Sequence, residues 1–488
     1  MWSRKTSNEE HEESLLPPSP TSTTSASNTS DRNVISSARW QKLPRMLLNT
    51  LWQLLLFAIP SFLKRTPRVP ILSPEKTAQL VSTSAGHRST KYLDGVRGLA
   101  SFIVFVDHWT GIQYPGVHSG YENSEKSSLW QLPVIRLIYS GPAMVSIFFV
   151  VSGFVLTHRF IQKMHRHEYE TLFSGLTSLT FRRAIRLFLP ALVSCLLVYV
   201  CASLHLMKIP KMVDKEKFRH GWPAFVSYLD DESNPWTWKL HMKGWYNPPL
   251  WSISVEYRGS MVVFLTVLAL ARCRATVRLA VEWAIILHAF GHERWDVALF
   301  VAGMAIAELD VLVNLSPSGK AFMGQKCIKV MLCVIMLAGV WLSGFPRANG
   351  LKSFGYAFSK NVYPFTGYRR RFWISVAAIL IVGPMPHLPS VQAFFGTRVI
   401  RYLGKISFAL YLVHGLGNRT IGNRLLQLTR TTFGDEGYWV CALTFIISSL
   451  LYAPIVIWWS DMYWRAVDTP STHFTKWFEG KCASRVTS

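Results

Sequence analysis

The chain has 488 residues, half of them hydrophobic and only 16% charged, against about a quarter charged in soluble domains, and this excludes an ordinary soluble globular protein. The net charge of +24 lies in basic stretches between long apolar runs, which suits anionic lipid headgroups and anionic cofactors, so nucleic acid is set aside as a partner. Most of the seven cysteines fall inside apolar runs without metal-ligand spacing, so no metal is expected, and Cys195 and Cys201 read as packing residues.

Residues 1–42 are rich in Ser, Thr, Asn, Glu and Pro; they cannot bury enough apolar surface to fold and are expected to form a disordered cytosolic tail. No apolar segment follows Met1 as a secretory signal requires. Residues 43–63 are apolar but broken by Asn49, Gln53 and Pro60 and flanked by Arg45, Lys64 and Arg65, a pattern that fits a helix lying in the membrane interface, within a linker that runs to residue 92. Ten candidate spans follow, near 93–113, 138–157, 187–207, 250–270, 275–291, 295–313, 327–344, 372–388, 402–417 and 438–459. The expected fold is an all-α polytopic membrane protein of about ten transmembrane helices, with its membrane domain at 93–465 and a short cytosolic tail at 466–488. The loop 158–186 carries six Lys and Arg residues, which places it and both termini in the cytosol, although Arg369, Arg370 and Arg371 then fall in a loop on the far side. No inverted repeat of the kind found in transporters is visible.

Several spans carry ionisable residues, which are costly in lipid and so belong against protein or a watered cavity. In LDGVRGLASFIVFVDHW, Arg97 and His108 are eleven residues apart; on an α-helix both share one face, with a rise of roughly 16 Å between them. Either His108 is a buried, hydrogen-bonded residue with Arg97 snorkelling, or the stripe performs chemistry. Asp107 points about 100° away from His108 and need not be its partner. Ser152 and Gly153, followed by Phe154, sit where small residues let helices approach closely. Arg183 and Arg186 share a face at the cytosolic boundary, where they read as topology flanks or as phosphate ligands. In NPPLWSISVEYRGS, Trp251 fits an interface anchor, and Ser252 and Glu256 share a helical face. Glu308, Asp310 and His414 lie at span ends.

Taken in order, the Arg–His helix, Ser-Gly-Phe, the Arg pair, Trp-Ser…Glu and the terminal Tyr-Leu-Val-His resemble the acyltransferase-3 family of integral membrane proteins, over about residues 90–465. Arg97 and His108 match its Arg-x10-His signature, Ser152-Gly153-Phe154 its second motif, Arg183 and Arg186 its Arg-x-x-Arg, and Trp251, Ser252 and Glu256 its Trp-Ser…Glu motif. The run Glu256-Tyr257-Arg258-Gly259-Ser260 looks like the fungal branch. The soluble esterase-like domain fused to some relatives is not expected. The resemblance implies an O-acyltransferase that takes an acyl group, expected to be acetyl, from acyl-CoA (acetyl-CoA) to a hydroxylated acceptor: a secondary metabolite, a lipid or a glycan. His108, Arg97 and Glu256 are then the catalytic candidates. Arg183, Arg186, Ser152 and Gly153 are the donor-binding candidates, and Trp251, Ser252 and His414 the substrate-binding ones. No cofactor is held permanently; membrane lipids are the other partners, in an endomembrane or the plasma membrane. The competing expectation is a transporter or flippase that uses Arg, His and Glu as an intramembrane proton relay.

Overall fold

The computed structural model describes residues 52–53, 56–63, 90–121, 128–207, 221–237, 247–348, 350–360 and 369–483. The expected tail at 1–42, most of the 43–92 linker and much of the loop 208–249 lie outside the described residues. The chain divides into Met1–Ile59, of which only short helical stretches at 52–53 and 56–58 are described, and Pro60–Ser488, which holds the elements that follow.

Those elements are α1 (Lys91–Gln113), α2 (Gly141–His165), α3 (Tyr169–Ser203), α4 (Trp222–Ser233), α5 (Trp251–Leu270), α6 (Ala275–Gly291), α7 (Trp295–Leu315) and α8 (Pro317–Gly324). They continue with α9 (Lys326–Ser343), α10 (Arg369–Val382), α11 (Pro389–Phe395), α12 (Arg398–Gly417), α13 (Asn423–Phe433), α14 (Tyr438–Tyr463) and α15 (Thr469–Cys482). The connections are short 3-10 and π turns, and no strand occurs among the described residues.

Helices form at all ten expected positions, and among the described residues five stretches are long and apolar enough to cross a membrane by length and composition: α2, α3, α5, α9 and the continuous Tyr438–Cys482. A sixth appears if Arg369–His387 and Pro389–Phe395, bent by 103°, count as one span. By length and composition the described residues thus support five or six of the ten expected spans. The physical reason lies in the residues that lower the apolarity of the other helices. Helix α7 carries Asp296, Glu308 and Asp310, all buried, and α6 has 17 residues including buried Arg278 and Glu282. Most of these charges are met by protein: Arg258 Nη2 lies 2.5 Å from Asp296, and Arg278 Nη2 lies 2.6 Å from Glu308, whereas neither carboxylate oxygen of Glu282 has a hydrogen-bond partner among the described residues. Breaking such a buried pair costs about 3–5 kcal/mol.

Two backbone contacts organise the core. Helices α2 and α7 meet where a Cβ on Gly153 or Gly303 would run into the partner's backbone, and Val150, Val151, Leu299 and Phe300 are sealed around this seam. Helices α1 and α12 meet the same way: a Cβ on Gly98 would strike the backbone of Gly404, and one on Gly404 the backbone of Asp94. Pro142 opens α2 at the first turn, where its missing N–H costs nothing.

Helix α3 has 35 residues and the α14–α15 stretch 45, about 52 and 68 Å at 1.5 Å per residue. Both exceed the hydrocarbon thickness of about 30 Å, so each overhangs. They pack on each other where Phe181 stacks on Phe478 (centroids 5.8 Å apart) and Arg182 Nε meets Glu479 at 3.1 Å.

Candidate active site

The seam between α1 and α12 sets the first part of the site. Ser101 Oγ donates to the Ser407 carbonyl at 2.7 Å, and two turns further on His108 Nδ1 lies 2.8 Å from His414 Nε2. The two rings are nearly parallel, at 6°. The other nitrogen of His414, Nδ1, lies 3.0 Å from the Leu410 carbonyl one turn back. A carbonyl only accepts, so His414 Nδ1 carries the proton and the Nε2 of a neutral His414 carries a lone pair. His108 Nδ1 must then donate, and its lone pair falls on Nε2. The pair thus fixes which nitrogen of His108 can act as a base.

A cavity of about 740 Å³ opens beside this seam. Its wall changes character along each helix. On α12 it runs Arg401, Lys405, Phe408, Tyr411; on α1 it is Lys91, Asp94, Arg97 and no further; on α3 it includes Arg183, Arg186 and Leu187. The mouth carries seven Lys and Arg side chains against the three carboxylates Asp94, Glu256 and Asp468. That surplus favours a polyanion. Beyond it the wall is apolar, with Val145, Phe148 and Ile253. It closes at Tyr411, whose hydroxyl is 2.6 Å from Ser252 Oγ and whose ring centroid is 6.0 Å from that of His414.

Six of the ten candidate residues line this cavity: Arg97, Ser152, Arg183, Arg186, Ser252 and Glu256. His414 sits one turn beyond Tyr411 on α12, and His108, paired with it, lies three turns past Arg97 on α1, so neither lines the cavity. Gly153 lies in the α2–α7 seam, and Trp251 stands against Trp295 at 6.4 Å between centroids. Glu256 is brought to Arg183, not to His108: Arg183 Nη2 donates to its Oε1 at 2.6 Å, and Arg183 Nε donates to Ser260 Oγ at 3.0 Å. The charge of Arg183 is thus already matched, and the exposed Arg186 beside it, with Arg97 and Asp468 nearby, is the freer cation. Sequence reasoning missed Lys91, Arg401, Lys405, Tyr411 and Lys476. The Arg401-Lys405-Phe408-Tyr411 spacing, one residue per helical turn, was the signal available.

At the opposite end of α1, Asp107 turns away from His108, as its angular offset predicts. It pairs with Arg347 and receives the Gly141 amide at the start of α2, with His118 Nδ1 3.6 Å away. Arg136 donates to the carbonyls of His118 and Ser119 at 3.1 and 3.5 Å. Burial, reinforced by Arg347 and Arg136, pushes His118 down to about 3.

A cavity with a cationic surplus that ends at Tyr411, beside a tautomer-fixed histidine pair, is consistent with what the comparisons show, a helical acyltransferase. Residues 90–465 match the family described as "Acyltransferase domain" (Acyl_transf_3), and the chain belongs to the acyltransferase-3 family. It is 26% identical to the O-acetyltransferase PaAT-1 of Phomopsis amygdali over 433 residues, covering 80% of this chain and 84% of that protein. It is 24% identical to the acyltransferase clz18 of Cochliobolus lunatus, covering 78% and 94%, and 24% identical to the acyltransferase R4 of a Phoma species, covering 82% and 96%. No solved structure matches. This family membership displaces the transporter expectation.

Proposed function

We propose that the chain is a multi-pass membrane O-acyltransferase that moves an acyl group, in the first instance acetyl, from acyl-CoA to a hydroxyl of a secondary metabolite, a lipid or a glycan. The observation that carries this reading is the cavity's gradient: a cationic lining gives way to an apolar wall that ends at Tyr411, one turn before His414, the partner of His108. CoA enters from the cytosol with its phosphates at Arg186 and the Arg183–Glu256 pair. Its arm runs past Arg97, Ser152 and Ser252, and its thioester reaches His108 once it passes Tyr411.

There His108 Nε2 takes the proton of the acceptor hydroxyl as the oxygen attacks the thioester carbonyl. The C–S bond breaks, and the proton passes from His108 to the departing thiolate. His414 holds the tautomer that makes this possible, and in that role it acts through His108. Glu256 acts by fixing Arg183, and Trp251 steadies the helix start that presents Ser252.

The test is acetyl-CoA turnover by protein purified in detergent. His108→Gln keeps a hydrogen-bonding side chain without a basic nitrogen. It is expected to keep its melting temperature and donor binding while losing about 10²–10⁴-fold in rate. Near-normal turnover by folded His108→Gln protein overturns the mechanism.

A further inference from the structure

The last helix, α15, begins after residue 465, where the family match ends, and no motif assigns it a role. The sequence suggests only a short tail there. Yet Asp468, Thr469, Thr472, His473 and Lys476 all line the cavity. On α15 the spacing 469, 472, 473, 476 is i, i+3, i+4, i+7, a single face. The helix is held in place by other residues: Glu479 and Phe478 dock on α3, and Ser471 and Thr475 are buried. The cavity face is therefore presented by a fixed scaffold.

Its charge state sets it apart. Arg183 is matched by Glu256 at 2.6 Å, whereas Lys476 is exposed and makes no hydrogen bond or ion pair among the described residues. The Thr472 hydroxyl donates back to the Asp468 carbonyl at 3.1 Å, which leaves an unmatched ammonium beside the Thr469 hydroxyl and an imidazole as the donors for a phosphate, and Lys serves phosphate as a mobile point charge. Position narrows which phosphate. Helix α15 belongs to the overhang beyond the bilayer thickness, at the end of the cavity away from Tyr411 and His414. A CoA thioester laid along the cavity with its carbonyl toward His108 puts its nucleotide end there. The group of CoA most distant from the thioester along the molecule is the nucleotide, with its 3′-phosphate.

Resting on the CoA-donor reading above, we propose that the Thr469–Thr472–His473–Lys476 face of α15 binds the 3′-phosphate of the donor and lets the enzyme distinguish CoA from dephospho-CoA.

The experiment compares acetyl-CoA with acetyl-dephospho-CoA, following release of the free thiol by wild-type protein and by Lys476→Gln in the same detergent. Lys476 is exposed, so the variant is expected to melt as wild type does. Wild type is expected to show a KM about ten-fold lower for acetyl-CoA than for acetyl-dephospho-CoA. Lys476→Gln is expected to raise the acetyl-CoA KM about ten-fold, to leave kcat in place, and to make the two donors equivalent; one charge-assisted contact is of this size. Equal KM values for both donors in wild type overturn the proposal, as does a variant that still discriminates. A KM raised equally for both donors moves Lys476 to the diphosphate and also overturns it. If wild type releases thiol from neither donor, the CoA reading itself falls and takes this inference with it; turnover with unaltered discrimination removes this inference alone.

Discussion

The two ends of α1 carry the same residue types and use them in opposite ways. At the Arg97 end, arginines and lysines outnumber carboxylates seven to three around an open cavity, and part of their charge has no match within the protein. At the Asp107 end the charges are answered mostly from inside: Arg347 by Asp107, Arg136 by two backbone carbonyls, and Asp107 by Arg347 and the Gly141 amide. A self-satisfied cluster stabilises the fold, and an unsatisfied one stores affinity for a ligand. The count of arginines does not separate the two; the partners do.

The sharpest challenge to this comparison lies between the ends. His414→Met removes the acceptor that holds the His108 tautomer and is expected to lower kcat by about 10²-fold with the donor KM unchanged, within the range for loss of a general base. His414→Gln, whose amide oxygen can accept from His108 Nδ1, is expected to recover about ten-fold of that. Equal kcat in Met and Gln variants, with matching melting temperatures, means that His414 only packs.

A smaller effect sets the ends directly against each other. Asp107→Asn leaves Arg347 without its counter-charge and is expected to cost about 2 kcal/mol, below the figure for a fully buried pair because Arg347 is 35% exposed. It should appear as a lower melting temperature with the donor KM unchanged. Arg186→Gln is expected to do the reverse, raising the donor KM several-fold at low salt and leaving the melt alone. Should Asp107→Asn move KM and Arg186→Gln move the melt, the division between structural and ligand-binding ends is lost.

The smallest effect is in pH. Unfolded His118 titrates near 6.5 and folded His118 near 3. Between these values the unfolded chain binds more protons, so stability falls as pH falls below 6.5 and is unaffected above it. The loss from pH 6.5 to 5.5 is about 1 kcal/mol. Melting curves of His118→Gln should lack this slope relative to wild type; parallel pH dependence would show that His118 is already charged in the fold.

Much of the site is legible in the sequence because its parts lie on single helices. The Arg97–His108 stripe, the Arg183/Arg186 face and the Ser252/Glu256 pair are short-range spacings, and the structure sets Arg97, both arginines, Ser252 and Glu256 around one cavity. What periodicity cannot show is which stripes meet. His108 and His414 are 306 residues apart and Arg183 and Glu256 73; only the Gly98–Gly404 seam and the α3–α5 packing reveal these pairs. Hydropathy likewise cannot show that the Asp and Glu residues of α7 find partners within the protein, as Asp296 does at Arg258 and Glu308 at Arg278. It under-reads α15, whose polar residues hide a face with a regular helical period.

The backbone contact between α1 and α12 also settles how the histidine pair keeps its register. At Gly98 and Gly404 no side chain intervenes, so nothing compressible separates the two helices. The offset between His108 and His414 is referenced to main chain, ten residues or just under three turns away along each stiff rod. Rotamer changes at the cavity mouth have no lever on that offset, and in the proposed mechanism the proton-transfer geometry is thereby insulated from ligand traffic through the mouth.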